Sequence, residues 1–389
     1  MVRYVLFIGF IFFGYLTKAQ KLISQEEAIN LVFNNQRNLR AANLSVQQQQ
    51  QLVNGAAGIS NPQVFGEITP YEPLLLGVQQ TFSLPVVYRR NKALQNQMVR
   101  LSQLQLQGTQ YELKREVRLS YLQLQFLMER RRLLVYQDSI YQAIKTSSKR
   151  FFDAGQINKL EELQATTQAD AIRNELNRIQ ADFAGTRQIF AFLTGYTDTF
   201  QVSPIETYLF VPTSDTSLTN VQQQILQQQI TINESQLGVT RASLLPQIQA
   251  GVSFPTTKEF ERPVGAQFGI TIPIWRKQNR SQIAAAKTGI ELARAQQDLA
   301  QQRLNADYRQ ALSNYQREIQ SLTYYNSIAL QQAKAIIETS QRLFQGGQLN
   351  YIESLRNLQT AFDIFLNHLE THRAYNEAVI QLDYLNGTL

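Results

Sequence analysis

Hydrophobic positions recur along this chain with two periods, and the helical period runs longest over residues 86–152. There Leu113, Val117, Leu124, Leu127 and Leu134 hold one four-three seam, while Leu119, Leu122, Phe126, Leu133, Tyr136, Ile140 and Ala143 hold another. At about 3.5 residues per turn the two seams lie about 150° apart on one helix. A dimeric coiled coil needs a single seam, so a helix with two has a neighbour on each side, and such helices build a wall. Roughly 65 residues at ~1.5 Å each make a rod of ~100 Å, too long for a compact globule. Ser120, Glu129 and Arg131 interrupt the seams, and the remaining face is rich in glutamine, with Gln95, Gln97, Gln103, Gln105, Gln107 and Gln110. That face is ordinary solvated helix surface or, if the wall closes on itself, a wetted lining with few fixed charges.

The second period is two. In 246–254, Ile248, Ala250, Val252 and Phe254 alternate with Gln247, Gln249, Gly251 and Ser253, and in 265–272 Ala266, Phe268, Ile270 and Ile272 do the same. Val64 and Ile68 match the former set earlier in the chain, and Val78, Phe82 and Leu84 the latter. Such alternation fits half of a soluble sheet, and equally a membrane-spanning strand of ~9 to 11 residues with one apolar face. Strand number favours the membrane: four short strands cannot cover their own edges, and in lipid every edge must be closed. Two chains would give eight strands, a barrel filled by its own side chains. Three would give twelve, the first size with a real opening.

These periods occur in the same order twice. Arg150-Phe151-Phe152-Asp153-Ala154-Gly155-Gln156-Ile157-Asn158 returns as Arg342-Leu343-Phe344-Gln345-Gly346-Gly347-Gln348-Leu349-Asn350, with Gly155 and Gly347 192 residues apart. The closures Leu193 to Gly195 and Leu385 to Gly387 share that offset, whereas Pro62 with Pro246 and Pro85 with Pro273 are offset by 184 and 188. The second repeat therefore carries four extra residues between its strands, in the turn 255–263. The predicted elements are a helix over 22–58, strands over 62–69 and 76–84, the long helix 86–152 and a returning helix 158–194. Their second copies fall at 217–243, 246–254, 265–272, 277–344 and 350–386. The organisation expected is a first repeat over 20–195, a Thr-, Ser-, Pro- and Asp-rich link over 196–216, and a second repeat over 217–389.

Ahead of them, residues 1–19 read as a secretory signal: Arg3, an apolar run from Val5 to Leu16, and Thr17-Lys18-Ala19 at the cleavage site. The run is short of the ~20 residues that span a bilayer. The formal charge of +7 falls to +5 once Arg3 and Lys18 leave with the signal. That excess is spread along the helices rather than gathered with aromatics, which argues against nucleic acid. No cysteine is present, excluding disulfides, thiol nucleophiles, zinc-thiolate sites and an N-terminal lipid on cysteine.

Taken together, the duplication, the Ala242-Ser243-Leu244-Leu245-Pro246 entry into a strand, the exits Leu84-Pro85 and Ile272-Pro273, and both glycine tips resemble the outer-membrane efflux factors of TolC type. The resemblance covers nearly the whole mature chain. It implies a mainly α fold with a small β part: duplicated long helical hairpins forming a trimeric α-barrel, continued by a 12-stranded transmembrane β-barrel with four strands per chain. It further implies a passive exit duct in the outer membrane of a Gram-negative bacterium, reaching into the periplasm; many relatives are lipidated on cysteine, and this chain, having none, departs from them in not being lipidated. Its partners would be a periplasmic adaptor, outer-membrane lipid and an inner-membrane pump, of resistance-nodulation-division type in preference to ABC type. The alternatives are the exit duct of a type I protein secretion system and, in another class, a periplasmic adaptor with a coiled-coil hairpin. The side chains expected to face lipid are Val64, Ile68, Phe82, Ile248, Val252, Phe268 and Ile270.

The tips have a local logic of their own. Gly155 and Gly347 suit the left-handed end of a helix, and Asn158 and Asn350 suit the cap of the next. Glu161 and Glu353 complete an Asn-x-x-Glu capping box. Arg150, Phe152, Arg342 and Phe344 precede the glycines at equivalent positions and are the expected adaptor-docking features, with hairpin closure as their simpler role. The resemblance gives Glu353 a place at the closed periplasmic aperture together with Glu161, and Arg356 stands one turn on, where the family often has another acid. Glu353 and Arg356 are expected to pair there. His368 and His372, the only histidines, share a helix face as metal ligands would. They lack the His-Glu-x-x-His order, and His372 falls on a seam with Leu355, Leu358, Phe362, Phe365 and Leu369, so a structural role is expected. No constellation supports catalysis, no nucleotide loop follows a strand, and no cofactor is expected.

Overall fold

The computed structural model describes residues 21–70, 72–211, 220–255, 264–274, 276–346 and 348–389. The signal segment, most of the 255–263 turn, part of the 196–216 link, and Gly347 lie outside the described residues. Elements run in the order β1 (Lys21–Ile23), α1 (Gln25–Asn34), α2 (Gln36–Gly55), β2 (Gln63–Thr69), β3 (Glu72–Phe82), α3 (Pro85–Asp153), α4 (Lys159–Thr194), β4 (Phe200–Val202), α5 (Val221–Ala242), β5 (Gln247–Pro255), β6 (Gly265–Thr271), α6 (Arg276–Tyr324), α7 (Leu330–Gln345) and α8 (Tyr351–Asn386).

Four features depart from the expected elements, the first being that the strand expected over 76–84 runs over Glu72–Phe82. The helix expected over 22–58 is two helices broken at Asn35, preceded by a short strand. Asn35 makes no side-chain cap for α2. Its amide instead donates to the carbonyls of Phe192 and Leu193 at 3.3 and 3.2 Å, closing the C-terminus of α4. The second long helix is divided by a π-turn, Tyr325–Ala329. The link is also more than a connection: β4 pairs in parallel with β1, and Phe200, Val202 and Phe210 are buried.

α3 begins with Pro85 at its first turn, where a missing N–H costs nothing. Its 69 residues reach ~100 Å. Its two seams meet two neighbours. Val117 and Leu124 pack with Phe190 and Leu193 of α4, and Leu127 and Leu134 with Ile179 of α4. From the other seam, Phe126 meets Leu369 of α8, while Leu133 and Ile140 join Phe362. The second seam frays towards its end: Tyr136 is half-exposed although its ring meets Phe362 at 5.7 Å, and Ala143 is exposed.

Nearer the strands α3 lies between α2 and α5, and α6 follows α5. Further out it lies between α4 and α8, and α7 follows α8. The chain is thus a palisade four helices wide at either level. Near the strands glutamines join the palisade: Gln95 donates to Gln49 at 2.7 Å, Gln228 to Gln97 and Gln297 to Gln227 at 2.9 Å each. Gln95 and Gln97 therefore belong to helix–helix contacts, not to the free face. Long polar side chains with both donor and acceptor pair reciprocally where a leucine seam would leave no polar surface to wet.

Across the middle of the palisade runs the segment 200–211. The Tyr121 hydroxyl accepts the Ser203 N–H at 3.1 Å and donates to the Ile23 carbonyl at 2.6 Å. The Gln125 amide donates to Ser203 and Pro204 carbonyls, and the fully buried Asn376 donates to Glu206 O and accepts from Tyr208 N. Side chains here complete the backbone bonding that a lone strap cannot complete itself.

Candidate functional site: an amphipathic sheet and two helical tips

The four-stranded sheet has the order β2-β3-β5-β6, antiparallel throughout. Cross-strand partners share a face, so the register sorts the side chains. Phe82, Ile248 and Ile270 form one row; Val64, Val78, Val252 and Ala266 a second; Leu76 and Phe254 a third. The opposite face carries rows such as Gln63, Gln79, Gly251 and Gln267. All seven residues expected to face lipid are exposed, from Phe82 at 37% to Phe268 at 83%. Solvating so large a contiguous apolar face is costly, because each such side chain is worth about 1.5 to 3 kcal/mol when buried.

Two glycines allow close approach on the polar face. A Cβ on Gly77 would lie 2.3 Å from the Phe65 ring, which fills the space of the missing side chain, and one on Gly251 would lie 2.9 Å from the Val78 carbonyl. β2 and β6 are each paired on one side only, so both edges present unbonded backbone groups. Among the described residues no helix is long and apolar enough to cross a membrane.

At the far end of the palisade stand the tips. Gly155 adopts φ +71°, and the Gln156 N–H reaches back to the Phe151 carbonyl at 2.8 Å, the six-to-one bond of a Schellman motif. At the second tip Gln348 repeats that bond to Leu343 at 2.9 Å, with Gly346 at φ −80°. Asn158 and Glu161 form the complete capping box, each side chain bonded to the other's backbone N–H at 3.0 and 2.9 Å.

The second box is half made. Asn350 accepts the Glu353 N–H at 2.9 Å, but the Glu353 carboxylate does not return a bond to Asn350. Glu353 and Arg356 are both exposed and form no ion pair with each other within the chain. Arg150 and Arg342 are exposed at equivalent positions in the last helical turns, where a cation also complements the helix dipole. Phe152 and Phe344 differ: Phe152 lies under the Lys159 ammonium at 4.9 Å, whereas Phe344 meets Phe151 at 6.2 Å and Tyr351 at 6.1 Å, joining the two hairpins.

The two histidines lie midway along α8, their rings 6.0 Å apart. His368 Nε2 meets Asn326 of the π-turn at 3.0 Å, and His372 Nε2 meets Thr207 of the strap at 3.0 Å. Burial lowers the pKa of both, His372 to about 4. Each ring is committed to a different partner, and no cluster of three or more metal-ligating residues occurs among the described residues.

The strap contacts were missed in the sequence, although Gln125 amid Leu122, Leu124, Phe126 and Leu127, and Asn376 in an apolar run, are polar residues at core positions. Such residues have a buried partner to satisfy.

No family profile and no curated protein matches this sequence. Solved structures do. The Campylobacter jejuni CmeC outer membrane channel shares 13% identity with a TM-score of 0.79, over 93% of this chain and 85% of that one. CusC, described in relation to folding and transmembrane channel formation, shares 17% with a TM-score of 0.80, over 93% and 92%. The open state of the Neisseria gonorrhoeae MtrE outer membrane channel shares 14% with a TM-score of 0.73, over 93% and 88%. At these identities the likeness is one of fold, and the resemblance read in the sequence is therefore a shared architecture: this chain has the fold of the outer-membrane channels of TolC type.

Proposed function

We propose that the protein is a passive outer-membrane exit duct, a homotrimer whose twelve strands form a barrel in the membrane and whose palisades form a tunnel into the periplasm. The observation that carries this reading is the sheet: one face wholly apolar but for Gln80, the other glutamine-rich, both edges open. Copies placed edge to edge close every backbone bond, turn the apolar face to lipid and the glutamines to a water-filled lumen. The palisade fits the same ring. Its α2 and α4 side leaves Leu44, Leu52, Leu163 and Phe192 exposed, and its α6 side leaves Leu292 and Leu299 exposed, a head-to-tail pair of surfaces of the kind that closes by rotation.

Drive for transport would come from an inner-membrane pump coupled through a periplasmic adaptor. The adaptor would grip the tips at Arg150 and Arg342, which a trimer presents six times, with Phe152, Gly155 and Asn158 and their counterparts Phe344, Gly347 and Asn350 shaping the surface around them. Glu161 and Glu353 line the periplasmic aperture in this reading. Because Glu353 and Arg356 form no ion pair with each other among the described residues, their pairing would be between subunits. Among inner-membrane partners a pump of resistance-nodulation-division type is preferred to an ABC exporter.

Fractionation tests the reading. The mature protein should sediment with the outer membrane and run as a detergent-stable trimer that forms channels in planar bilayers; a soluble monomer with native helix content would end it.

A further inference from the structure

The two long helices begin, directly beneath the sheet, with cations and no acids. From Pro85 the first carboxylate of α3 is Glu112, and from Arg276 the first of α6 is Glu291. Among the cations in these stretches, Arg89 and Lys92 on α3 and Lys277 and Arg280 on α6 are all exposed and none is ion-paired among the described residues. Each pair is spaced i, i+3 and so shares one helix face. The pairs are equivalent: Arg89 to Lys277 and Lys92 to Arg280 are each offset by 188 residues, as Pro85 is from Pro273. Cations at a helix N-terminus oppose the helix dipole, so helix stability does not account for them, and no acid among the described residues pairs with them.

Their depth supplies a partner. The lowest apolar row of the sheet, Phe82 with Ile248 and Ile270, ends just above Pro85. A rise of ~1.5 Å per residue sets Arg89 and Lys92 ~6 and ~10 Å below the start of α3. A headgroup layer is about 5 to 8 Å thick on each side of the hydrocarbon, and long basic side chains extend towards it with their stems on apolar surface. We infer that Arg89, Lys92, Lys277 and Arg280 form a belt that binds the phosphates of anionic phospholipid headgroups in the periplasmic leaflet, fixing the depth at which barrel passes into tunnel. The inference rests on the sheet's being the membrane-spanning part, and the alternative anion, a cargo passing through the lumen, is separated by the test.

The full mature chain is reconstituted into phosphatidylethanolamine vesicles with or without phosphatidylglycerol, re-extracted, and its retained lipid measured by native mass spectrometry. The wild type should retain phosphatidylglycerol preferentially, and the R89Q/K92Q/K277Q/R280Q variant should lose that preference, by about five-fold for each charge removed. The charge-keeping R89K/K92R/K277R/R280K variant should retain it. No preference in the wild type, or equal retention by the glutamine variant, overturns the belt. So does a glutamine variant that keeps its lipid but shifts the reversal potential under a salt gradient, because the cations then face the lumen. Failure of the wild type to insert into either vesicle sinks the membrane reading itself and is seen before any lipid is weighed.

Discussion

Burial between α8 and the strap pushes His372 down to about 4 from its ordinary 6.5, and the neighbouring His368 adds to the shift. A base with a depressed pKa in the folded state contributes stability that is fully present above pH 6.5. It is lost as pH falls towards 4, where the unfolded chain takes up the proton that the folded chain refuses. Urea melts should therefore weaken between pH 7 and pH 5 in the parent, and His372→Gln should flatten that slope; an unchanged slope would remove the histidine from the account. A half-buried group behaves differently. Asp383 pairs with Arg118 across α3 and α8 at 3.0 Å, with 15% and 19% of the two side chains exposed. Burial still raises the carboxyl above its usual range against the pull of the arginine. Desolvation thus consumes much of the attraction, and removing one partner strands the other. Arg118→Ala should cost more than Asp383→Asn, because it leaves a half-buried carboxylate with only Lys114 to offset its charge. Equal losses in thermal melts would mean that the pair is already solvated.

At the scale of elements, the two hairpins are unequal copies. From the helix-entry proline to the tip glycine the first copy takes 70 steps, Pro85 to Gly155, and the second takes 74, Pro273 to Gly347. The π-turn Tyr325–Ala329 interrupts this longer stretch, and α7 beyond it packs against α8 through Ala333 and Ile337. The returning helices differ as well. Leu163 is 53% exposed on α4, whereas the equivalent Leu355 on α8 is 9% exposed in the core with Phe362. The tip arginines are nonetheless alike in both copies, which suits a repeated grip better than hairpin packing. Arg150→Glu with Arg342→Glu should abolish adaptor cross-linking and export while leaving trimer and barrel intact. Losing two dipole-complementing cations costs about 0.3 to 1 kcal/mol each, too little to unfold the hairpins, so unchanged export would assign these arginines to the hairpin alone.

For the whole molecule, assembly decides which polar groups meet. Within one chain the Glu353 carboxylate is free of both Asn350 and Arg356; in a closed trimer three copies would approach the axis. Arg356→Ala should then raise single-channel conductance, since unneutralised carboxylates repel, and Glu353→Ala added to it should partly restore closure. Exposed pairs are worth ~0 to 1 kcal/mol each, so the gate is biased and not locked. Parent-like conductance in both variants would place closure in tip packing. Subunit contacts should carry more energy than this gate, because the uncovered leucines and open strand edges lie along the whole length of the chain.

Element type and order were legible in the sequence because period is a local property. The two seams of α3, the alternation of β5 and β6 and the glycine tips each state their geometry within a few turns of chain, and the observed bounds follow them closely. The amphipathic sheet was legible for the same reason, since alternation alone sorts Phe268 and Ile270 from Gln267 and Gly269. What needed the tertiary structure were pairings between residues far apart in the chain. Gln95 and Gln97 read as a free face until Gln49 and Gln228 stood beside them, and the strap read as a linker until Tyr121, Gln125 and Asn376 supplied its missing bonds. Glu353 and Glu161 sit in the same motif, yet one carboxylate closes its box and the other does not. A hydrogen bond depends on position to within a few tenths of an ångström, and that position is set by the packing of whole helices, which no local pattern encodes.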